Sequence, residues 1–186
     1  MMLVEAEVID FLRKGPPENA QIFSASCVER MVQVYIYVRG SIGGRDEDLD
    51  YFVELLDQFW IIGGGADSFE RAARRLESFE ELQPQEVEVS SPVEEFCFYS
   101  VLVALHSALL RAEGRIDDAV SCGHVCLTAM GQFDGNNPGS SLFAEEIEMQ
   151  RRVLEGYKAD QIEDIRHTDR IVGEGRRLAL SDYLAR

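Results

Sequence analysis

The chain has 186 residues, enough for one domain with its own core, and 46% of them are hydrophobic. Its 34 acidic residues against 18 basic ones give a formal charge of −16 and a pI near 4.5. That balance excludes a nucleic-acid or anionic-membrane surface, which needs clustered basic residues, and admits a basic protein partner.

The opening stretch carries Glu5, Glu7 and Asp10 inside its apolar run. A secretory signal has a basic start and an unbroken apolar segment, so the expected location is the cytoplasm. Val4, Val8, Ile9, Phe11 and Leu12 predict a short amphipathic helix ended by Gly15-Pro16-Pro17. A second helix is predicted from Glu18 to Val38, with Ile22, Cys27, Val28, Met31, Val32 and Tyr35 at three- and four-residue steps. Its β-branched end, Val32 to Val38, leaves a strand as the alternative. Arg39 to Arg45 reads as a loop.

A third helix, Asp46 to Ile62, has an apolar face of Leu49, Phe52, Val53, Leu56, Phe59 and Trp60. Gly63-Gly64-Gly65 ends it, and Asp67 with Glu70 suggests a capping box for a fourth helix that Pro84 stops. Gln85 to Val89 reads as an extended connector. Ser91 to Gly114 is the clearest element: Ser91 and Glu94 form a capping box, Pro92 suits the first turn, and Gly114 suits a left-handed stop. Apolar residues nearly encircle it, which predicts a buried central helix. Glu94, Glu95, His106 and Arg111 leave too short a clean run for a membrane span of about 20 residues.

Arg115 to Gln132 predicts a helix paired with this one as a hairpin, and Asp134 to Ser140 is the strongest loop. A further helix, Ser141 to Lys158, places Leu142, Phe143, Ile147, Leu154 and Tyr157 inward and Glu145, Glu146, Glu148, Arg151 and Arg152 outward. The fold expected is an all-α, single-domain bundle of about seven to eight helices around 91–114. Residues 1–160 form the bundle, and 161–186 form a polar C-terminal extension, weakly ordered or a short terminal helix.

Four cysteines, Cys27, Cys97, Cys122 and Cys126, fall in helical patterns and read as reduced, buried thiols. Cys122, His124 and Cys126 resemble metal ligands in sequence, but on a helix His124 lies about 200° round from Cys122, so no metal and no cofactor is expected. His106 becomes a general base only if a carboxylate partners it in a cleft, and nothing nominates a nucleophile. The glycines of 40–44 lack the Lys-Ser/Thr of a phosphate loop.

The feature that points to function is acidic. Asp46, Asp50, Glu54 and Asp57 share one face of the third helix, opposed to its apolar side. Glu80, Glu81, Glu86 and Glu88 form a second cluster that can extend it. A row of like charges costs stability in the free protein and is relieved by a cationic partner.

The segments Cys27–Met31, Leu49–Trp60, the helix after Pro92, and Glu145–Leu154 together resemble the YjaG-like family of small bacterial all-helical proteins of unknown function. Small acidic helical proteins of this type also resemble immunity proteins of bacterial toxin systems. The function expected from the acidic stripe, in keeping with the likeness to immunity proteins, is non-enzymatic: neutralisation of a basic toxin domain by occlusion, as monomer or dimer. A helical-repeat adaptor, suggested by Leu109 to Met130, and a small enzyme using His106 are the alternatives.

Overall fold

The computed structural model describes residues 3–83 and 91–184. Among these are eight α-helices and no strand: α1 (Ala6–Lys14), α2 (Pro17–Ile42), α3 (Asp46–Phe59), α4 (Ala66–Glu77), α5 (Pro92–Glu113), α6 (Ile116–Asn136), α7 (Leu142–Arg151) and α8 (Ile162–Leu184). The connector expected at Gln85–Val89 lies outside the described residues.

The ends of α5 form as their residue types dictate. Ser91 Oγ accepts from the Glu94 N–H at 3.3 Å, and the Ser91 N–H donates to Glu94 Oε2 at 2.9 Å. Gly114 closes the helix in the left-handed region, at φ 72°, with its N–H on the Leu110 carbonyl. By length and composition alone this helix is apolar enough to cross a membrane, but half of that window is buried inside the bundle. It packs on α2, α4 and α6.

The helix enclosed most completely is α2. Nearly every residue from Ala20 to Val38 is buried, including Ser24, Ser26, Glu29 and Arg30. It meets α1, α3, α5, α6 and α8. Val32 to Val38 is helical, not a strand: burial on several sides outweighs the preference of β-branched residues for extended backbone. Hydroxyls tie α2 to α5. Ser100 donates to the Met31 carbonyl at 3.0 Å, and Ser107 donates to Ser24 Oγ at 3.0 Å.

Several boundaries differ from the sequence reading. The loop after α2 shrinks because Arg39 to Ile42 remain helical. In α3 the inward set is Phe52, Leu55, Leu56 and Phe59, while Val53 is 43% exposed. Gly65, not an Asp67 box, precedes α4, with no side-chain cap. The loop after α6 begins later because Asp134 is still helical and turns to cap α7, accepting from the N–H groups of Leu142 at 3.1 Å and Phe143 at 2.9 Å. Residues Arg152–Glu155 tighten to a 3₁₀ turn, so α7 is shorter than expected.

The largest correction concerns the C-terminal extension. Residues 162–184 form one 23-residue helix packed along α2. Arg166 and Arg170 reach Glu29 near the middle of α2, and Arg177 lies over the Tyr37 ring nearer its C-terminus, so the two helices run parallel. Gly173, which reads as a breaker, is the point of close approach. A Cβ there would meet Gln33 Cγ at 2.8 Å, the Glu29 carbonyl at 3.0 Å and the Arg30 carbonyl at 3.2 Å. Polar residues on α8 disguise it in sequence, but Asp169, Arg176 and Leu180 are buried on the same side as Gly173.

Gly173→Ala should therefore destabilise the protein by about 1–3 kcal/mol, because backbone must yield to the new methyl. Gly175→Ala, where nothing lies within 4 Å of the added Cβ, should raise stability by up to about 1 kcal/mol through helix propensity. Urea unfolding of the two variants checks both signs.

Candidate functional site

The acidic row stands on α3 where its spacing puts it. Asp46, Asp50, Glu54 and Asp57 are exposed, and Glu47 is exposed beside them. Asp57 is ion-paired with Arg166 of α8, which leaves Asp46, Asp50 and Glu54 as the outward acidic group. Asp46 lies in the first turn, where the helix dipole favours an anion; Asp50 and Glu54 lie beyond that turn and gain little from it. Val53 projects from the same side, so an apolar side chain stands within the row.

The second cluster divides. Glu80 is exposed, at 3.4 Å from Arg45. Glu81 is turned inward and is no surface group: it accepts from Arg39 Nε at 2.7 Å and from Arg45 Nη1 and Nη2 at 2.7 and 2.9 Å. Two guanidiniums at the α2–α3 corner outweigh its solvation. Glu86 and Glu88 lie outside the described residues.

Beneath the surface is a charge network that the sequence reading missed. Arg30 of α2 is 1% exposed, and its fork grips Glu146 of α7, Nε to Oε2 at 3.0 Å and Nη2 to Oε1 at 2.8 Å. Its Nη1 donates to Asp169 of α8 at 2.9 Å. Arg176 donates to Glu146 Oε2 at 2.6 Å, and Gln150 to Oε1 at 2.8 Å. One turn-step away, Glu29 accepts from Trp60 Nε1 at 2.9 Å, Arg166 Nε at 3.2 Å and Arg170 Nε at 2.9 Å. Glu146 thus belongs to the interior, not to the outward face assigned from its neighbours. Burial alone would raise its pKa, but Arg30 and Arg176 outweigh burial and hold it down to about 2. Arg30 is in turn held well above its ordinary value, since Glu146 and Asp169 outweigh the cost of its own burial.

The histidine and cysteine candidates separate in space. Cys122 Sγ points to the Val103 carbonyl at 3.5 Å, Cys126 Sγ to the Cys27 carbonyl at 3.8 Å, and His124 Nδ1 accepts from the Val4 N–H at 3.0 Å. Gly123 leaves the helix unbroken and admits the N-terminal segment, since a Cβ there would meet Val4 Cγ2 at 2.7 Å. All four cysteines are free and buried. Cys27, Cys126 and Glu146 do bring ligand atoms within 4.8 Å of one another. That donor set does not suit a cation, because Arg30 Nη2 already lies 3.5 Å from Cys27 Sγ and neutralises Glu146. Burial also pushes the Cys126 thiol well above its ordinary pKa, against thiolate formation.

His106 does have a carboxylate beside it. Its Nδ1 lies 3.2 Å from Asp118 Oδ1, and Asp118 Oδ2 accepts from Arg115 Nε at 3.0 Å. The pair joins α5 to α6 next to their tight turn. A His–Asp contact orients an imidazole for proton transfer, but it equally pins a hairpin. Arg111, buried in α5, donates to the carbonyls of Phe59 and Ile61 and lies over the Phe69 ring, so it closes the end of α3. Burial lowers its pKa to about 10.

One signal in the sequence marked the network: Glu29 and Arg30 interrupt an apolar helix, and opposite charges occur at interior spacing on α7 and α8. Arg30→Met should cost about 3–5 kcal/mol, because Glu146 and Asp169 then lack their shared cation. The pH effect has a definite sign. Between the ordinary carboxyl value of 4.5 and about 2, the unfolded chain binds a proton at Glu146 that the folded chain does not, so stability falls as pH falls. Urea midpoints measured across that window should slope less steeply in Glu146→Gln than in the wild-type chain.

No protein-family model, no curated protein and no solved structure matches this chain.

Proposed function

We propose that this chain is a non-enzymatic binding protein of the cytoplasm that occludes a basic partner protein, in the manner of an immunity protein neutralising a toxin domain. The observation that carries the reading is the row Asp46, Asp50 and Glu54, exposed on α3 with the apolar Val53 among them. Protein interfaces combine such an apolar contact with a charged surround.

The distribution of positive charge supports it. Arg30 and Arg176 are buried, Arg39 and Arg45 are bound to Glu81, and Arg166 and Arg170 are bound to Glu29. With these cations engaged internally, the formal −16 is expressed outward as a field that steers a cationic partner. A small enzyme with His106 as general base is the second reading, favoured by the Asp118 contact alone. Close opposite charges at an interface couple by about 1.5–7 kcal/mol, so the row can raise the rate of association and add to affinity.

The test uses the full chain as bait against the product of the neighbouring gene and against host lysate, beside the triple variant Asp46→Asn/Asp50→Asn/Glu54→Gln. The wild type should retain a basic protein stoichiometrically at low salt. The variant should associate at least about tenfold more slowly, with a flatter salt dependence. Folding stability of the variant should be unchanged or higher by a few tenths of a kcal/mol, as like-charge repulsion is removed. Equal capture by both baits, or a partner that is not basic, sinks the reading.

A further inference from the structure

Among the described residues, helix α5 packs on three sides, against α2, α6, and α4 with the 3₁₀ turn Glu80–Leu82 that follows it. Ser100 and Ser107 face α2, Phe96 and His106 face Phe133 and Asp118 of α6, and Arg111 faces Phe69 of α4. Helical geometry then sends Phe98, Leu102, Leu105 and Leu109 to the fourth side, at steps of four, three and four residues. Phe98 is 36% exposed and the three leucines are partly exposed. The described residues leave this side partly open, with Leu105 and Leu109 still packed against the core, although the sequence predicts a helix buried all round. Beside its N-terminal half is a shallow groove between α5 and α6, lined by Phe96, Tyr99 and Phe133.

The spacing is that of a narrow helix–helix seam, in which apolar residues alternate at three and four. A helix lying in a membrane interface instead needs a broad apolar face with basic borders. The borders here are acidic. Glu94 and Glu113 are exposed at the two ends of α5. Glu70 and Glu77 of α4 are exposed on the flank of that helix away from Arg75, which reaches Asp48 of α3. Arg74 and Arg115 offset only part of this charge, on Glu70 and Glu113. A second copy of the chain would bring the same acidic border against its own, which is repulsive.

We propose that Phe98, Leu102, Leu105 and Leu109 of α5 form a docking seam for one amphipathic helix with basic flanks, contributed by a partner protein. The proposal rests on the basic-partner reading above and adds the secondary structure of the partner's contact and the place where it lies. The partner's apolar residues at heptad spacing pack between Phe98 and Leu109, and its Lys or Arg flanks meet Glu94, Glu113, Glu70 and Glu77.

The probe is a fluorescently labelled synthetic peptide with leucine at heptad a and d positions and lysine elsewhere, compared with its scrambled isomer of identical charge. Anisotropy titrations use the full chain. The heptad peptide should bind at least about tenfold tighter than the isomer, and Phe98→Ser/Leu102→Ser should remove that advantage. Leu109→Gln alone should weaken it by a smaller factor, and helicity by circular dichroism should be retained in both, since Phe98 is exposed and Leu102 and Leu109 are only partly buried. The triple α3 variant should change peptide affinity less than about threefold, because apolar packing sets the preference. Equal binding of peptide and isomer overturns the proposal, as does binding that survives the α5 substitutions. Self-association by sedimentation, or attachment to phosphatidylcholine vesicles, abolished by Phe98→Ser/Leu102→Ser, overturns it in favour of a second copy or a membrane. Peptide docking that persists while no basic protein is captured defeats the occlusion reading alone; capture without preferential docking defeats the seam alone.

Discussion

The Arg30–Glu146 pair sits where α2, α7 and α8 meet, and both side chains are almost wholly removed from water. Taking two charges out of water is expensive, and only a well-shaped contact with further hydrogen bonds recovers the cost. The pair itself has both: a forked guanidinium–carboxylate contact, a second guanidinium from Arg176, an amide from Gln150, and Asp169 on the remaining arm of Arg30, while Asp169 Oδ2 and Arg176 Nε have no hydrogen-bond partner among the described residues. Removing Arg30 or Glu146 leaves opposite charges in the core without their main partner. The three helices are therefore held to a register in which all members meet, a constraint that interchangeable leucines would not impose.

That constraint explains how a polar C-terminal segment becomes a core helix. Asp169 and Arg176 of α8 enter the network, Gly173 between them lets the backbone approach α2, and Arg166 and Arg170 close on Glu29 beside it. Trp60 Nε1 donates to the same Glu29, so the end of α3 is tied to α8 through α2. The acidic row of α3 inherits a fixed platform from these contacts, with Asp57 attached to Arg166 at its end.

The same economy of arginine shapes the surface. Carboxylates in the interior hold arginines inside, and the acidic excess remains outside on α3 and along the borders of α5. Two surfaces with different physics result. On α3 the outward carboxylates Asp46, Asp50 and Glu54 act at a range set by the Debye length, about 8 Å at physiological salt. On α5 an apolar seam acts only at contact. A partner steered by the first and packed on the second would combine fast association with slow release.

The helical class and the ends of the best-marked helices are legible in the residue order alone. Ser91, Glu94 and Gly114 bound α5 because capping is local chemistry, complete within one turn. The face of Asp46, Asp50, Glu54 and Asp57 follows from helical periodicity alone. Tertiary structure decided what depends on distant partners. Glu29, Arg30 and Glu146 are polar by composition and interior by pairing, Glu81 is inward because Arg39 and Arg45 converge on it, and Gly173 is a contact only because α2 lies against it. The outer side of α5 is apolar by sequence and only partly covered by the described residues: hydropathy measures a residue's cost in water, and only the arrangement of neighbouring helices determines whether water is there.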